Sequence, residues 1–160
     1  MNYLLFLEGK IADDKGRYLD KYFSFSNLKL EYCHNYIQRI FPINEMSKAD
    51  KSLAPLSLND INEIKKSDIA KNNIKIMYEK MLIFFKLDDK NYTNWNIKRH
   101  WNKINNHNHR RITRMLICFK LLDLEDLQKD FSIRLKYPIE NNLSINISNQ
   151  TRKIWEKNFI

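Results

Sequence analysis

Apolar residues recur along this chain at spacings of three and four, the rhythm of helices that each bury one face. A short turn is expected around Arg17 to Tyr22. A clearer helix follows, capped by Ser26 or Asn27, striped by Leu30, Cys33, Tyr36, Ile37 and Ile40, and ended by Pro42. Ile43 to Leu56 reads as a polar loop, and "SLND" at Ser57 to Asp60 opens a short helix to about Lys66. Ser67 then caps Asp68 to Lys86, whose Ala70, Ile74, Met77, Met81, Phe84 and Phe85 mark it as central to the core.

Asn94 is placed to cap a helix holding Trp95, Lys98, Arg99 and Trp101. After "NNHNH" comes a helix capped by Asn108, with Ile112, Met115, Leu116, Phe119 and Leu122 inward. Glu125 to Lys136 stops before Pro138, and Ser148 caps a last helix through Phe159 with Ile154 and Trp155 inward. Amphipathic helices of this kind must bury their faces against one another. The expectation is a single all-α, bundle-like domain of about six to seven helices spanning residues 1–160.

Composition agrees. Two glycines and three prolines in 160 residues leave little material for a turn-rich β fold. Cys33 and Cys118 sit among apolar residues, where a thiol behaves as a small hydrophobe, so no disulfide framework is expected. The apolar runs Tyr3–Leu7 and Met81–Phe85 fall far below the ~18 residues of a spanning helix. The start lacks a secretory pattern, and a cytoplasmic location is the simplest expectation.

Charge changes the picture more. Of the net +9, nearly all belongs to Lys90–Leu122, which holds eight Lys or Arg and no Asp or Glu. Within it the helix opening at Asn108 begins with Arg110 and Arg111. A helix N-terminus carries positive partial charge, so each is disfavoured there by about 0.3 to 1 kcal/mol. A negative group is therefore expected nearby. Arg111 falls at the edge of the apolar stripe, where a buried guanidinium needs a carboxylate; Asp20, Glu31 and Glu79 are candidates.

Two readings follow. In one, Arg111 belongs to an internal clamp and the "NHNH" amides and imidazoles tie the loop down. In the other, His107, His109, Arg110, Arg111 and Arg114 form a pocket for a carboxylate or phosphate. Lys98, Arg99 and Lys103, interleaved with Trp95 and Trp101, form a basic surface suited to non-sequence-specific nucleic-acid contact. No recognition-helix, zinc-finger or RNP motif accompanies it. One H-x-H pair is too few ligands for a metal, and no cofactor is expected. Cys33 and His34 are helix neighbours that point apart, so no nucleophile and base are defined, and an enzyme is the less favoured expectation.

Several blocks taken together, "DDKGRYLD", "HNYIQRIFP", "NHNHRRITRML" followed by "LLDLEDL", and "ISNQTRKIWEKNF", resemble the conserved domain of the opioid growth factor receptor family, from about Phe6 to Phe159. The resemblance implies an all-α fold. For vertebrate members it implies binding of an enkephalin-type opioid peptide and partly nuclear growth regulation. This chain departs at Arg39, where the family commonly has Trp, at Arg110, where it has an apolar residue, and at Asp123, where a Gly usually follows the helix. The expectation is a non-enzymatic binding or regulatory module taking a small anionic ligand or peptide. Nucleic-acid or other polyanion binding through 90–122 is the alternative, and an uncharacterised small-molecule enzyme a second.

Overall fold

A computed structural model of the chain describes residues 1–47, 50–89, 99–141, 143 and 145–160. Among them are nine helices and no strand: α1 (Tyr3–Leu7), α2 (Leu19–Phe23), α3 (Asn27–Tyr32), α4 (Ile37–Ile40), α5 (Leu58–Lys66), α6 (Asp68–Phe85), α7 (Asn108–Leu121), α8 (Glu125–Glu140) and α9 (Asn149–Lys157). The expected helix at Asn94, with Trp95 and Lys98, lies outside the described residues.

The caps follow the side-chain chemistry. Ser26, Ser67 and Ser148 each accept a backbone N–H of the first turn, and Ser57 and Asp60 form a reciprocal capping box. Core α6 buries Ala70, Ile74, Met77, Met81, Phe84 and Phe85 as its spacing requires. It stops at Lys86, in the left-handed conformation. Helices α7 and α8 pack along each other, and a triad of Tyr78, Phe119 and Phe131 joins α6 to both with ring centroids 5.3 to 6.2 Å apart. One hydrophobic cluster takes residues from every helix.

Four expectations change. The helix expected from Ser26 to Pro42 is two short helices, because Cys33 turns extended (φ −84°, ψ 117°). Side chains from elsewhere hold that break open: Arg111 Nη2 donates to the carbonyls of Glu31 and Cys33, both at 3.1 Å. Arg17 donates to the Asn35 side chain at 2.9 Å, and Arg39 to the Asn35 carbonyl. Carbonyls drawn off in this way are lost to an α-helical ladder. Second, the Tyr3–Leu7 run is itself a short helix, started by the Asn2 side chain.

Third, α8 continues past Pro138. The proline lies in the last turn, where its missing N–H forfeits one ladder bond, its ring is buried, and its carbonyl accepts Leu143 N at 2.9 Å. Fourth, α9 turns only Trp155 fully inward, and Ile154 is exposed.

A second charged centre lies beneath the break. Arg39 is fully buried among Asp14 (Nε–Oδ1 2.7 Å), Asp50 (2.9 Å) and Asp13 (3.0 Å). Asp13 also accepts from Arg17 (2.8 Å) and from the Tyr22 hydroxyl. Burial opposes ionisation of Asp13, but these donors outweigh it and hold its pKa down at about 2. The "DDKG" stretch, Asp13 to Gly16, is thus a clasp joining the start of the chain to α4.

Candidate functional site

The start of α7 is the region the charge pattern singled out. Asn108 is its first helical residue, not its cap. Asn106 satisfies the open N–H groups, its side chain accepting from Asn108 N at 2.8 Å and its carbonyl from His109 N at 3.1 Å. The negative group expected here is Glu31, carried across from α3, and it answers Arg111 and not Arg110. Its carboxylate accepts from Asn108 Nδ2 at 3.1 Å and lies 3.3 Å from His107, 3.6 Å from His100 and 3.9 Å from Arg111.

Arg111 is buried. Its guanidinium donates to the Asn108 side chain at 2.9 Å as well as to the two α3 carbonyls, and lies 5.2 Å over the Tyr36 ring. Every face of it meets the chain's own groups. His109 is also buried, with Nε2 2.8 Å from the Trp101 carbonyl and its ring edge-on to Trp155. Desolvation lowers its pKa, against the opposing Trp101 bond, and keeps the ring neutral.

The other expected site residues divide by exposure. Arg110 is exposed and His107 half-exposed, with the His107 ring edge-on to His34 at 5.4 Å. Burial and the neighbouring Arg111 lower the His107 pKa, and Glu31 opposes them. Arg114 lies on the α4 side, half-buried, 3.4 Å from the Phe41 carbonyl, and burial lowers its pKa. Arg111 and His107 therefore meet at Glu31, whereas Arg114 and His109 point elsewhere. Of the expected basic surface, Lys103 is exposed, but Arg99 is buried with Nε 3.1 Å from the Lys86 carbonyl. Lys98 lies outside the described residues.

Sequence reasoning did not pick out His100 and His34 as members of this cluster. His100 Nε2 is buried and has no hydrogen-bond partner among the described residues, and its ring packs 4.7 Å from Phe84. Burial depresses its pKa, with Glu31 opposing. A histidine shortly before "NHNH" in an acid-free run was the available signal.

Among the described residues no group of three or more His, Cys, Asp or Glu is placed to hold a metal ion, and no helix is long and apolar enough to cross a membrane. Two shallow recesses occur away from this region. One of about 330 Å³ lies between Tyr18, Phe23 and Asn73, and one of about 450 Å³ between Lys75 and Leu124.

Comparison with known proteins places this architecture. A mouse protein, opioid growth factor receptor (Mus musculus), is 33% identical over 107 residues, covering 62% of this chain and 17% of the mouse protein. The chain thus matches less than a fifth of that relative's length. No solved structure matches it significantly. The family profile described as the opioid growth factor receptor (OGFr) conserved region matches residues 14–151, from the Asp14 clasp through α2 to the first turns of α9, and the chain belongs to that family.

Proposed function

We propose that the chain is a single-domain, non-enzymatic binding and regulatory module that takes a short peptide at the exposed start of α7. The observation that carries this reading is the family match over residues 14–151, together with the name of the mouse relative, opioid growth factor receptor. Arg110 and His107 are the accessible members of the expected site and offer donors to a terminal carboxylate. Glu31, still partly exposed, offers a partner for an amino terminus. Beside it on α3, Leu28 and Tyr32 are about 70% exposed (69% and 72%) and offer apolar contact to side chains. Arg111, His109 and Arg114 support the site from behind by fixing the geometry of α7 against α3 and α4.

Titration calorimetry tests this with an enkephalin-type pentapeptide, its C-terminal amide, and the Arg110→Gln and Glu31→Gln variants. Binding of the free acid is expected, weakened by about tenfold or more when either the carboxylate or Arg110 is neutralised. Equal heats for acid and amide would remove the carboxylate contact. No heat with either would remove the peptide reading.

A further inference from the structure

We propose that α9 and the exposed edge of α7 form a second surface, meeting the peptide site only at Arg110, that docks on the phosphate backbone of a nucleic-acid duplex without regard to base sequence. Arg110, Thr113, Ile117 and Lys120 share one face of α7 by helical spacing. Helix α9 lies along that line: Trp155 Nε1 donates to Thr113 Oγ1 at 2.9 Å, and Lys120 Nζ reaches the Lys157 carbonyl at 3.5 Å. Trp155 is the one residue of α9 that is fully buried, which leaves Arg152, Lys153 and Lys157 outward. Lys136 of α8 joins them, its Nζ 2.8 Å from the Ile160 carbonyl.

Little of the charge here is answered, and what is left open lies along two packed helices, whereas other unpaired lysines among the described residues, such as Lys21, Lys29 and Lys75, are scattered over α2, α3 and α6. Glu156 is taken by Arg152 at 2.8 Å. Among the described residues, Arg110, Lys120, Lys153 and Lys157 have no carboxylate within ion-pair distance. Elsewhere, Lys10, Lys65, Lys66 and Lys71 pair with Glu8, Asp123, Glu63 and Asp68 at 2.7 to 3.1 Å. A surface of one sign, left uncompensated along two packed helices, attracts a polyanion.

The form of the polyanion follows from what the surface lacks. Trp101, Trp155 and His109 are buried and the half-buried Phe159 ring lies under Lys136 Nζ at 5.5 Å, so among the described residues this face offers no open aromatic platform on which unpaired bases could stack. Arg110 and Lys120 are ten residues apart, about 15 Å along α7. Duplex DNA presents one charge per ~1.7 Å of axis, so that span covers enough phosphates for about four contacts.

Fluorescence anisotropy tests the proposal with a 20-base-pair DNA duplex, a single strand of the same length, polyglutamate, and phosphatidylserine vesicles as a co-sedimentation arm. Four contacts give a log–log salt slope of about −3.6, a loss on the order of 100-fold between 50 and 200 mM salt. The Lys153→Gln/Lys157→Gln variant, exposed at both positions, is expected to keep its melting temperature and to flatten that slope by about 1.8. Lys66→Gln/Lys71→Gln is expected to leave it unchanged, and saturation with the pentapeptide, which engages Arg110, to reduce it by no more than one contact, about 0.9. No duplex binding at 50 mM salt, an unaltered slope in the α9 variant, or tighter binding to the single strand, the polypeptide or the vesicles would overturn the assignment.

Discussion

Arg39 and Arg111 are both cations sunk beside the same break in the chain, yet they are neutralised in different ways. Arg39 meets three carboxylates and is sealed, at 0% exposure. Arg111 meets two main-chain carbonyls, one amide and two aromatic faces, and among the described residues its one carboxylate neighbour lies at 3.9 Å, shared among two histidines and Asn108. A guanidinium fixed by dipoles keeps more of its charge to offer than one fixed by anions. The first centre is therefore scaffold, and the second leaves Glu31 and His107 at the surface beside it.

The largest expected effect falls on the sealed centre. Arg39→Met strands Asp13, Asp14 and Asp50 together and should cost about 3 to 5 kcal/mol in urea unfolding. Adding Asp14→Asn and Asp50→Asn should recover part of that loss. If Arg39→Met is silent, the three ion pairs contribute nothing.

Arg111→Met should cost less, about 2 to 3 kcal/mol, because the orphaned carbonyls and Asn108 are neutral and Glu31 can turn to water. A cost above that of Arg39→Met would reverse the comparison.

Acid should separate the centres by pH. His100, His107 and His109 have pKa values depressed by burial, so the unfolded chain binds their protons more readily. Their contribution is complete above the ordinary histidine value of about 6.5 and is lost as pH falls through the lowered folded values. Asp13, held at about 2 against an ordinary 3.8, contributes fully above 3.8 and is lost only toward pH 2. Urea midpoints should thus decline first below about pH 6.5, a step that His109→Gln shrinks, and again below about pH 4, a step that Asp13→Asn shrinks and that Asp50, whose pKa is also lowered, keeps in part. A flat profile from pH 7.5 to 5 would show that the histidines near Arg111 feel no burial.

The smallest effect is a gain. Asp123 ends α7 with φ 53°, a left-handed conformation that glycine adopts without strain, while its ion pair with Lys65 is largely exposed. Asp123→Gly should stabilise by about 0.5 kcal/mol, since the relieved backbone outweighs a weak surface pair. Thermal melts would detect it, and a loss would mean that the pair is the stronger term.

What the sequence made legible was local. The stripes of α6 and α7 and the serine caps follow from spacing or cap chemistry within a few residues, while Glu31 is reached only as one of three carboxylates that a buried Arg111 would need. What it hid was non-local. The break after α3 depends on Arg17, Arg39 and Arg111, whose reach no periodicity encodes, and an uninterrupted stripe from Leu30 to Ile40 conceals it. Arg39 stands out only as a departure from the family pattern and its role stays hidden, because a lone arginine on an apolar stripe shows its anions only once two loops have folded over it. Ile154 and Pro138 misled by type, since α9 is tied down by a single tryptophan and α8 tolerates a proline in its last turn.

The interruption at Cys33 to Tyr36 has a kinetic consequence. Three guanidinium groups pin it, one sixteen or more residues upstream, one a few residues downstream, and one from α7 nearly eighty residues away. Such a segment gains its shape only after distant parts of the chain have met. Its conformation should therefore set late in refolding, after α6 and α7 have formed. Pulse-labelled hydrogen exchange would read this as protection around Asn35 arriving in the final phase.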